Sequence, residues 1–197
     1  MKRVFDVIVS FCVLIVFFPI GLILALFISI ESRGGVFYFQ QRIGFKGNPF
    51  SLFKFRTMTK NADKSGKLTV GMKDARITRT GYFIRKYKLD EFPQFINVLI
   101  GQMSIVGPRP EVKEYVDLYN DEQRKILNVK PGITDYASIE YFNENELLGN
   151  STDPQKTYIE EVMPAKLALN KKYVDNASLS TDIKIMWLTF LKIVRLR

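Results

Sequence analysis

The chain contains no histidine. Imidazole general bases, Ser-His-Asp triads and histidine-ligated metals are therefore excluded. Its single cysteine, Cys12, lies in an apolar run, so neither an intramolecular disulfide nor a thiolate metal cluster can form. The glycines of IGFKGN and LIGQMSIVG lack the spacing of a Walker loop or a dinucleotide fingerprint. Internal repeats and low-complexity tracts are also missing. What the chain has in surplus is positive charge and aromatic rings. Against 20 acidic side chains it carries 29 basic ones, a net charge of +9, together with 16 Phe and 9 Tyr. That balance suits a polyanionic partner: nucleic acid, an anionic membrane surface or phosphorylated substrates. The 197 residues make one domain of ordinary size plus an N-terminal segment.

That segment is apolar. Val7 to Ile30 carries no charged side chain, and about 20 such residues cross a hydrocarbon core. No small-residue cleavage site follows, and Phe37 and Phe39 resume at once, which argues against a cleaved signal peptide. Lys2 and Arg3 on one flank and the basic remainder on the other leave charge unable to choose an orientation. Pro19 sits mid-run and invites a kink. On the residues alone a straight span is preferred over a helix that bends at Phe18-Pro19 and returns. The apolar run argues against nucleic-acid binding, which has only charge and the aromatics of the next segment to support it.

Gly34-Gly35 ends the helix. Val36–Ile43 and Phe50–Met58, separated by GFKGNP, read as a β-hairpin, with Phe53 and Phe55 alternating with Lys54 and Arg56. Its cationic face is equally well explained as solvated. The polar stretch Thr59–Thr69 reads as a loop. Glu111–Leu127 reads as one amphipathic helix buried through Val112, Tyr115, Val116 and Tyr119, and VKPGIT as a tight turn. Lys156–Tyr173 reads as another helix. DIKIMWLTFLKIVRLR, residues 182–197, sets Ile183, Met186, Trp187, Phe190, Leu191 and Val194 opposite Lys184, Lys192 and Arg195. Such a helix can lie in the headgroup layer, although a core helix with solvated lysines is the commoner explanation.

The rest of the chain is organised around RKYKLDEFPQFINVLIGQMSIVGPRP, residues 85–110. Pro93 belongs in a first helical turn, so a helix is expected from Leu89 or Asp90, with Asp90 at or near its N-cap. Arg85, Lys86 and Lys88 add to the positive end of the helix dipole. A carboxylate pair in a phosphate-binding place makes sense if it holds a metal or attacks phosphorus. Taken alone, an N-cap Asp beside a solvated Glu is the more common explanation. With Arg76, Arg79, Arg85, Lys86 and Arg109 nearby in sequence, the residues point to phosphoryl chemistry at a membrane surface.

KFRTM (54–58), DARITRTGYFIRKYKLDEFPQFINVLIGQMSIVGPRPE (74–111), VKPGIT (129–134) and DIKIM (182–186), in this order after an apolar helix, closely resemble the bacterial sugar transferases. These are monotopic phosphoglycosyl transferases, and the similarity covers essentially the whole chain. At this length it looks like the minimal catalytic form. The resemblance implies a mostly helical α+β monotopic membrane protein. Residues 1–33 would form a re-entrant helix broken at Pro19, reversing the preference for a straight span. Residues 34–197 would form a cytoplasmic catalytic domain on the inner leaflet of the bacterial membrane, carrying a short β-hairpin and amphipathic interfacial helices including 182–196.

The resemblance further implies transfer of a sugar 1-phosphate from a UDP-sugar to polyprenol (undecaprenyl) phosphate, with release of UMP, as the first membrane step of glycan assembly. Asp90 would be the nucleophile, forming a covalent phosphosugar adduct, and Asp90 and Glu91 the ligands of Mg²⁺. Arg85 would meet the lipid phosphate and Arg109 the donor, with Lys54, Arg56 and Arg76 as further phosphate-binding candidates. Inner-leaflet lipids are the remaining partner, nucleic acid is not one, and a homo-oligomer stays open. The chain departs from the family pattern at Phe18 before Pro19, at Gln102, at Asp135-Tyr136-Ala137-Ser138 and at Asn170. Residues 135–149 and the surroundings of Asn170 are expected to carry sugar specificity. A non-enzymatic basic scaffold or adaptor at the membrane surface is the competing reading.

Overall fold

A computed structural model describes residues 1–32, 34–60, 62 and 74–194. Most of the loop expected at 59–69, and the last residues of the expected C-terminal helix, lie outside the described residues. The architecture is mostly helical α+β with two small sheets. Helix α1, Lys2–Glu31, is helical on both sides of Pro19, which lies inside it. It is long and apolar enough to cross a membrane, and it marks the protein as membrane-associated. Only Asp6, Ser10, Leu24 and Ile28 of this helix are buried.

Both ends of α1 are fastened to the same domain. At its start, Lys2 meets Asp182 at 2.5 Å, and Arg3 donates to the carbonyls of Val98 and Leu99. Asp6 accepts from Ser104 Oγ at 2.8 Å and from the Ile105 amide. Near its end, Leu24 and Ile28 pack with Phe55 and Ile84. Glu31 accepts from the amides of Arg79 and Thr80 at 2.7 and 2.8 Å.

The expected hairpin forms from β1, Phe37–Ile43, and β2, Pro49–Phe55, paired antiparallel. Its register sets Phe37 opposite Phe55 and Phe39 opposite Phe53, so that the rings meet across the strands at 5.5 and 5.1 Å. Helix α2, Arg79–Lys86, is capped by Thr78, whose hydroxyl accepts from the Gly81 amide.

The next helix starts later than the pattern implies. Leu89–Glu91 form a 3₁₀ turn, and α3 runs over Gln94–Leu99 with Pro93 as its N-cap. Proline has no N–H for the carbonyl of Leu89, so the α-helical ladder cannot cross it. Bonds of i→i−3 type carry the chain instead: Phe92 to Leu89, Phe95 to Phe92 and Ile96 to Pro93. Asp90 therefore sits in this turn rather than at a helix N-cap.

Strand β3, Ser104–Val106, pairs in parallel with β4, Gly132–Thr134. The single helix expected over Glu111–Leu127 is instead α4, Lys113–Val116, α5, Asp121–Arg124, and a 3₁₀ turn over Lys125–Asn128. Asn120 is extended and caps α5 in a reciprocal box with Gln123, which starts a new helix where the old one would have continued. The expected stripe of Val112, Tyr115, Val116 and Tyr119 is buried all the same.

Four more helices complete the chain up to the C-terminal one: α6 (Tyr136–Glu140), α7 (Glu144–Gly149), α8 (Pro154–Thr157) and α9 (Met163–Asp175). A π-helical turn, Tyr158–Val162, joins α8 to α9 in place of the uninterrupted helix expected there. Helix α10, Leu179–Val194, buries Asp182 and Ile185 and leaves Ile183, Trp187, Phe190 and Val194 exposed. The apolar stripe read from the sequence thus faces outward, as a helix in a headgroup layer would hold it.

Two glycines bring the β3 and β4 ends together. A Cβ on Gly132 would lie 2.1 Å from the Gly107 nitrogen and 2.4 Å from its carbonyl oxygen. Gly132→Ala should accordingly destabilise the fold by about 3 kcal/mol, the upper part of the usual overpacking range. Thermal unfolding would check it, and an unchanged midpoint would contradict this packing.

Candidate active site

Lys88 opens the site. Its backbone is left-handed, at φ 56°, and this reverses the chain after α2 so that Asp90 and Glu91 follow immediately. Glu91 is held from two sides. Arg109 places both terminal nitrogens on its two carboxylate oxygens, Nη1 at 3.1 Å from Oε2 and Nη2 in close contact with Oε1. From β2, Lys54 reaches the same carboxylate at 3.5 Å. Burial by itself would raise the Glu91 pKa, but Arg109 and Lys54 outweigh it and hold the carboxyl well below its usual range. Arg109 is correspondingly raised, by Glu91 first.

Asp90 is in the opposite condition. Its residue is 8% exposed, and its carboxylate makes no hydrogen bond or ion pair among the described residues. Burial raises its pKa, opposed by Lys54, Arg85 and Lys88 and reinforced by Glu91. Lys54 is lowered by its own burial, against the pull of Glu91 and Asp90. Adjacent carboxyl groups thus have opposite electrostatics: one neutralised by a bidentate arginine, the other buried with its oxygens uncommitted.

Arg85 is steered by Thr57, whose hydroxyl accepts from its Nε at 2.8 Å, and it lies within the electrostatic reach of Asp90. The structure therefore brings together Lys54, Arg85, Asp90, Glu91 and Arg109 from β2, α2, the 3₁₀ turn and the Pro-Arg-Pro turn. Two expected members are engaged elsewhere. The Arg56 guanidinium donates to the carbonyls of Gly35 and Phe37, closing the start of the hairpin. Arg76 pairs with Asp74 at 2.6 Å and donates to the Ala62 carbonyl.

The Pro-Arg-Pro turn is fixed on every side. The Gly107 amide donates to the Thr134 carbonyl, and the Gly132 amide to the Pro108 carbonyl. Arg42 donates to the Pro110 carbonyl and to Glu111. Glu111 also accepts from Tyr158, at 2.6 Å, and faces Lys166. Asp135, fully buried, accepts from the Arg109 amide at 3.1 Å and, as the N-cap of α6, from the Ser138 amide at 2.6 Å. Sequence reading missed Asp135, Arg42, Glu111 and Tyr158 as supports of Arg109. Only Asp135 left a local signal, an Asp three residues before Ser138 at a helix start. The others converge from distant parts of the chain.

Of the departures, Gln102 accepts from Asn97 Nδ2 at 2.7 Å in the packing of α3 on β2. Asn170 is buried in α9 with Oδ1 unpartnered. Residues 135–149 border the site: Lys88 Nζ lies 4.9 Å over the Phe142 ring, and Glu144 adds to the field at Arg109. Among the described residues no three metal-capable side chains cluster. Any divalent ion here would depend on one or two carboxylates and on ligand oxygens.

Residues 1–196 match the family model described as bacterial sugar transferase. A protein of Bacillus subtilis, "Uncharacterized sugar transferase EpsL", is 38% identical over 98% of this chain and 87% of its own length. The "UDP-glucose:undecaprenyl-phosphate glucose-1-phosphate transferase" of Klebsiella pneumoniae is 36% identical over 97% of this chain, and the chain spans 39% of that protein. The "UDP-N-acetylgalactosamine-undecaprenyl-phosphate N-acetylgalactosaminephosphotransferase" of Aeromonas hydrophila is 35% identical over 95% of this chain and 42% of its own length. With a buried uncommitted carboxylate set among cations and a family match along its length, the chain belongs to the bacterial sugar transferases.

Proposed function

We propose that this protein is a phosphoglycosyl transferase that moves a sugar 1-phosphate from a UDP-sugar to undecaprenyl phosphate. The observation that carries the site assignment is Asp90, 8% exposed and without a hydrogen-bond partner among the described residues, beside Lys54, Arg85 and the Glu91–Arg109 pair. An oxygen of Asp90 attacks the β-phosphorus of the donor, and the bond from that phosphorus to the UMP oxygen breaks, UMP leaving with the electron pair. The resulting acyl-phosphate sugar is then attacked by an oxygen of undecaprenyl phosphate, which releases Asp90 as a carboxylate.

Arg109 keeps N–H groups beyond those on Glu91 and turns them to the donor diphosphate. Arg85, steadied by Thr57, meets the lipid phosphate. Bound Mg²⁺ would neutralise the diphosphate, and the open oxygens of Asp90, with Glu91 beside it, fit such an ion held largely by substrate phosphates. Asn170 offers a surface sugar nothing, being 4% exposed. Sugar choice is assigned to the part of the 135–149 segment that reaches the site, through Phe142 and Glu144.

The helix α1 enters one leaflet and returns, so the domain rests on the cytoplasmic face. Support comes from its docking. A straight 30-residue helix is about 45 Å long, and a span would carry one end away from the domain. Instead Lys2, Arg3 and Asp6 at one end and Glu31 at the other bind that domain. In this reading Pro19, inside the helix, is the point at which it bends.

The deciding experiment is intact mass after mixing solubilised protein with Mg²⁺ and a panel of UDP-sugars, without acceptor. A gain of one sugar phosphate is expected, and it identifies the donor. No adduct with any donor, and no UMP release once undecaprenyl phosphate is added, would overturn the assignment in favour of a lipid-binding scaffold.

A further inference from the structure

We infer that Asp135 is a positioning residue for donor recognition, holding the Arg109 backbone so that its guanidinium faces the diphosphate. The inference rests on the phosphoglycosyl transferase reading and adds a residue to it. In Pro108-Arg109-Pro110 only Arg109 has a backbone N–H, because neither proline can donate. Asp135 Oδ2 takes that one donor at 3.1 Å. The two neighbouring carbonyls are engaged as well, Pro108 by the Gly132 amide and Pro110 by Arg42. Asp135 thus takes the one backbone donor of the turn.

A buried carboxylate is an expensive way to make a turn. Asp135 is 0% exposed and has no ion-pair partner within salt-bridge distance among the described residues. Its hydrogen bonds are to two backbone amides, of Arg109 and Ser138. A neutral amide side chain could not make both bonds, because the two N–H groups sit on different oxygens and its NH2 would face one of them. The carboxylate also adds to the negative groups near Arg109, which already include Glu91 and Glu144. With Glu91 gripping the guanidinium and Asp135 the backbone, Arg109 is fixed at both ends before any diphosphate arrives, which lowers the ordering cost of binding.

Asp135 also caps α6, and its two bonds allow the two roles to be separated. Asp135→Ala removes both. Asp135→Asn keeps an acceptor oxygen without the charge. Ser138→Pro removes the capping donor in the first turn of α6, where that N–H has no partner within the helix, and biases Ala137 away from helical backbone, a cost that falls on α6 rather than on Arg109. UDP affinity by calorimetry needs no turnover, and donor and acceptor KM values follow from the full reaction.

Asp135→Ala is expected to weaken UDP binding and raise the donor KM about tenfold, with the acceptor KM unchanged. Asp135→Asn, with one acceptor oxygen for two amides, should recover only part of that loss. Ser138→Pro should bind UDP as the parent does, even if its melting point falls as far as that of Asp135→Ala. Ser138→Pro weakening UDP binding as much as Asp135→Ala would overturn the inference, because the effect would then run through α6. Wild-type UDP affinity in Asp135→Ala would overturn it equally. A parent protein that binds no UDP would instead overturn the transferase reading, and this inference with it.

Discussion

Asp90→Asn is expected to abolish adduct formation and turnover while leaving the protein as stable as its parent, or more so. The loss of activity follows from chemistry: a carboxamide cannot attack phosphorus and leave again as a carboxylate. The stability follows from burial. Asp90 is 8% exposed without a hydrogen-bond partner among the described residues, and burial lifts its pKa above that of an exposed Asp despite Lys54, Arg85 and Lys88. The folded state therefore holds this proton more tightly than the unfolded chain does. The stability gained from the proton is present below the ordinary Asp range and is lost as pH rises through the raised value. Asn never ionises, so it escapes that loss. Without Mg²⁺ or donor, Asp90→Asn should melt at or above the parent at neutral pH, and the difference should shrink on acidification. A variant that still accepted the sugar phosphate would remove Asp90 as nucleophile. One that melted well below the parent would show that Asp90 has stabilising partners.

The second large effect is expected at Arg109. Arg109→Ala leaves Glu91 buried with Lys54 as its one remaining ion-pair partner, at 3.5 Å. Removing one member of a buried pair costs more than the pair's net contribution, since the survivor stays desolvated. The Arg109 side chain is 30% exposed and that of Glu91 15%, so a stability loss of about 2 kcal/mol is expected, between fully buried and surface pairs. Activity should fall about 100-fold, as when one electrostatic donor to a reacting centre is lost. Arg109→Lys should restore much of the stability and little of the rate, because an ammonium cannot span both carboxylate oxygens and still face a diphosphate. Initial rates of UMP release beside melting points would separate these outcomes. A fully active Arg109→Lys protein would show that charge suffices and the two-pronged geometry is dispensable.

In both predictions the two carboxyl groups behave differently although they are neighbours in the chain. Their position was legible: the basic run, the Asp-Glu pair and the Pro-bounded arginine are contiguous, and local spacing carried the apolar helix, the hairpin and the apolar stripe of α10, although the outward facing of most of that stripe went against the commoner core-helix explanation. Where local pattern misled, hydrogen bonding explains it. The missing N–H of Pro93 moved the helix start past Asp90, and Asn120 began a new helix inside a continuous amphipathic pattern. Arg56 and Arg76 stood beside Lys54 as further phosphate-binding candidates. Neighbouring acceptors, the Gly35 and Phe37 carbonyls and Asp74, engaged the first two.

By itself the sequence determined the family, the long apolar helix and the run that sets two carboxylates among cations, because these depend on residue type and short spacing. Only the tertiary structure decided which carboxylate is neutralised and which stays open. That outcome depends on Arg109 arriving from a turn held by Asp135 and on Lys54 arriving from β2, and both are long-range contacts that no local pattern encodes.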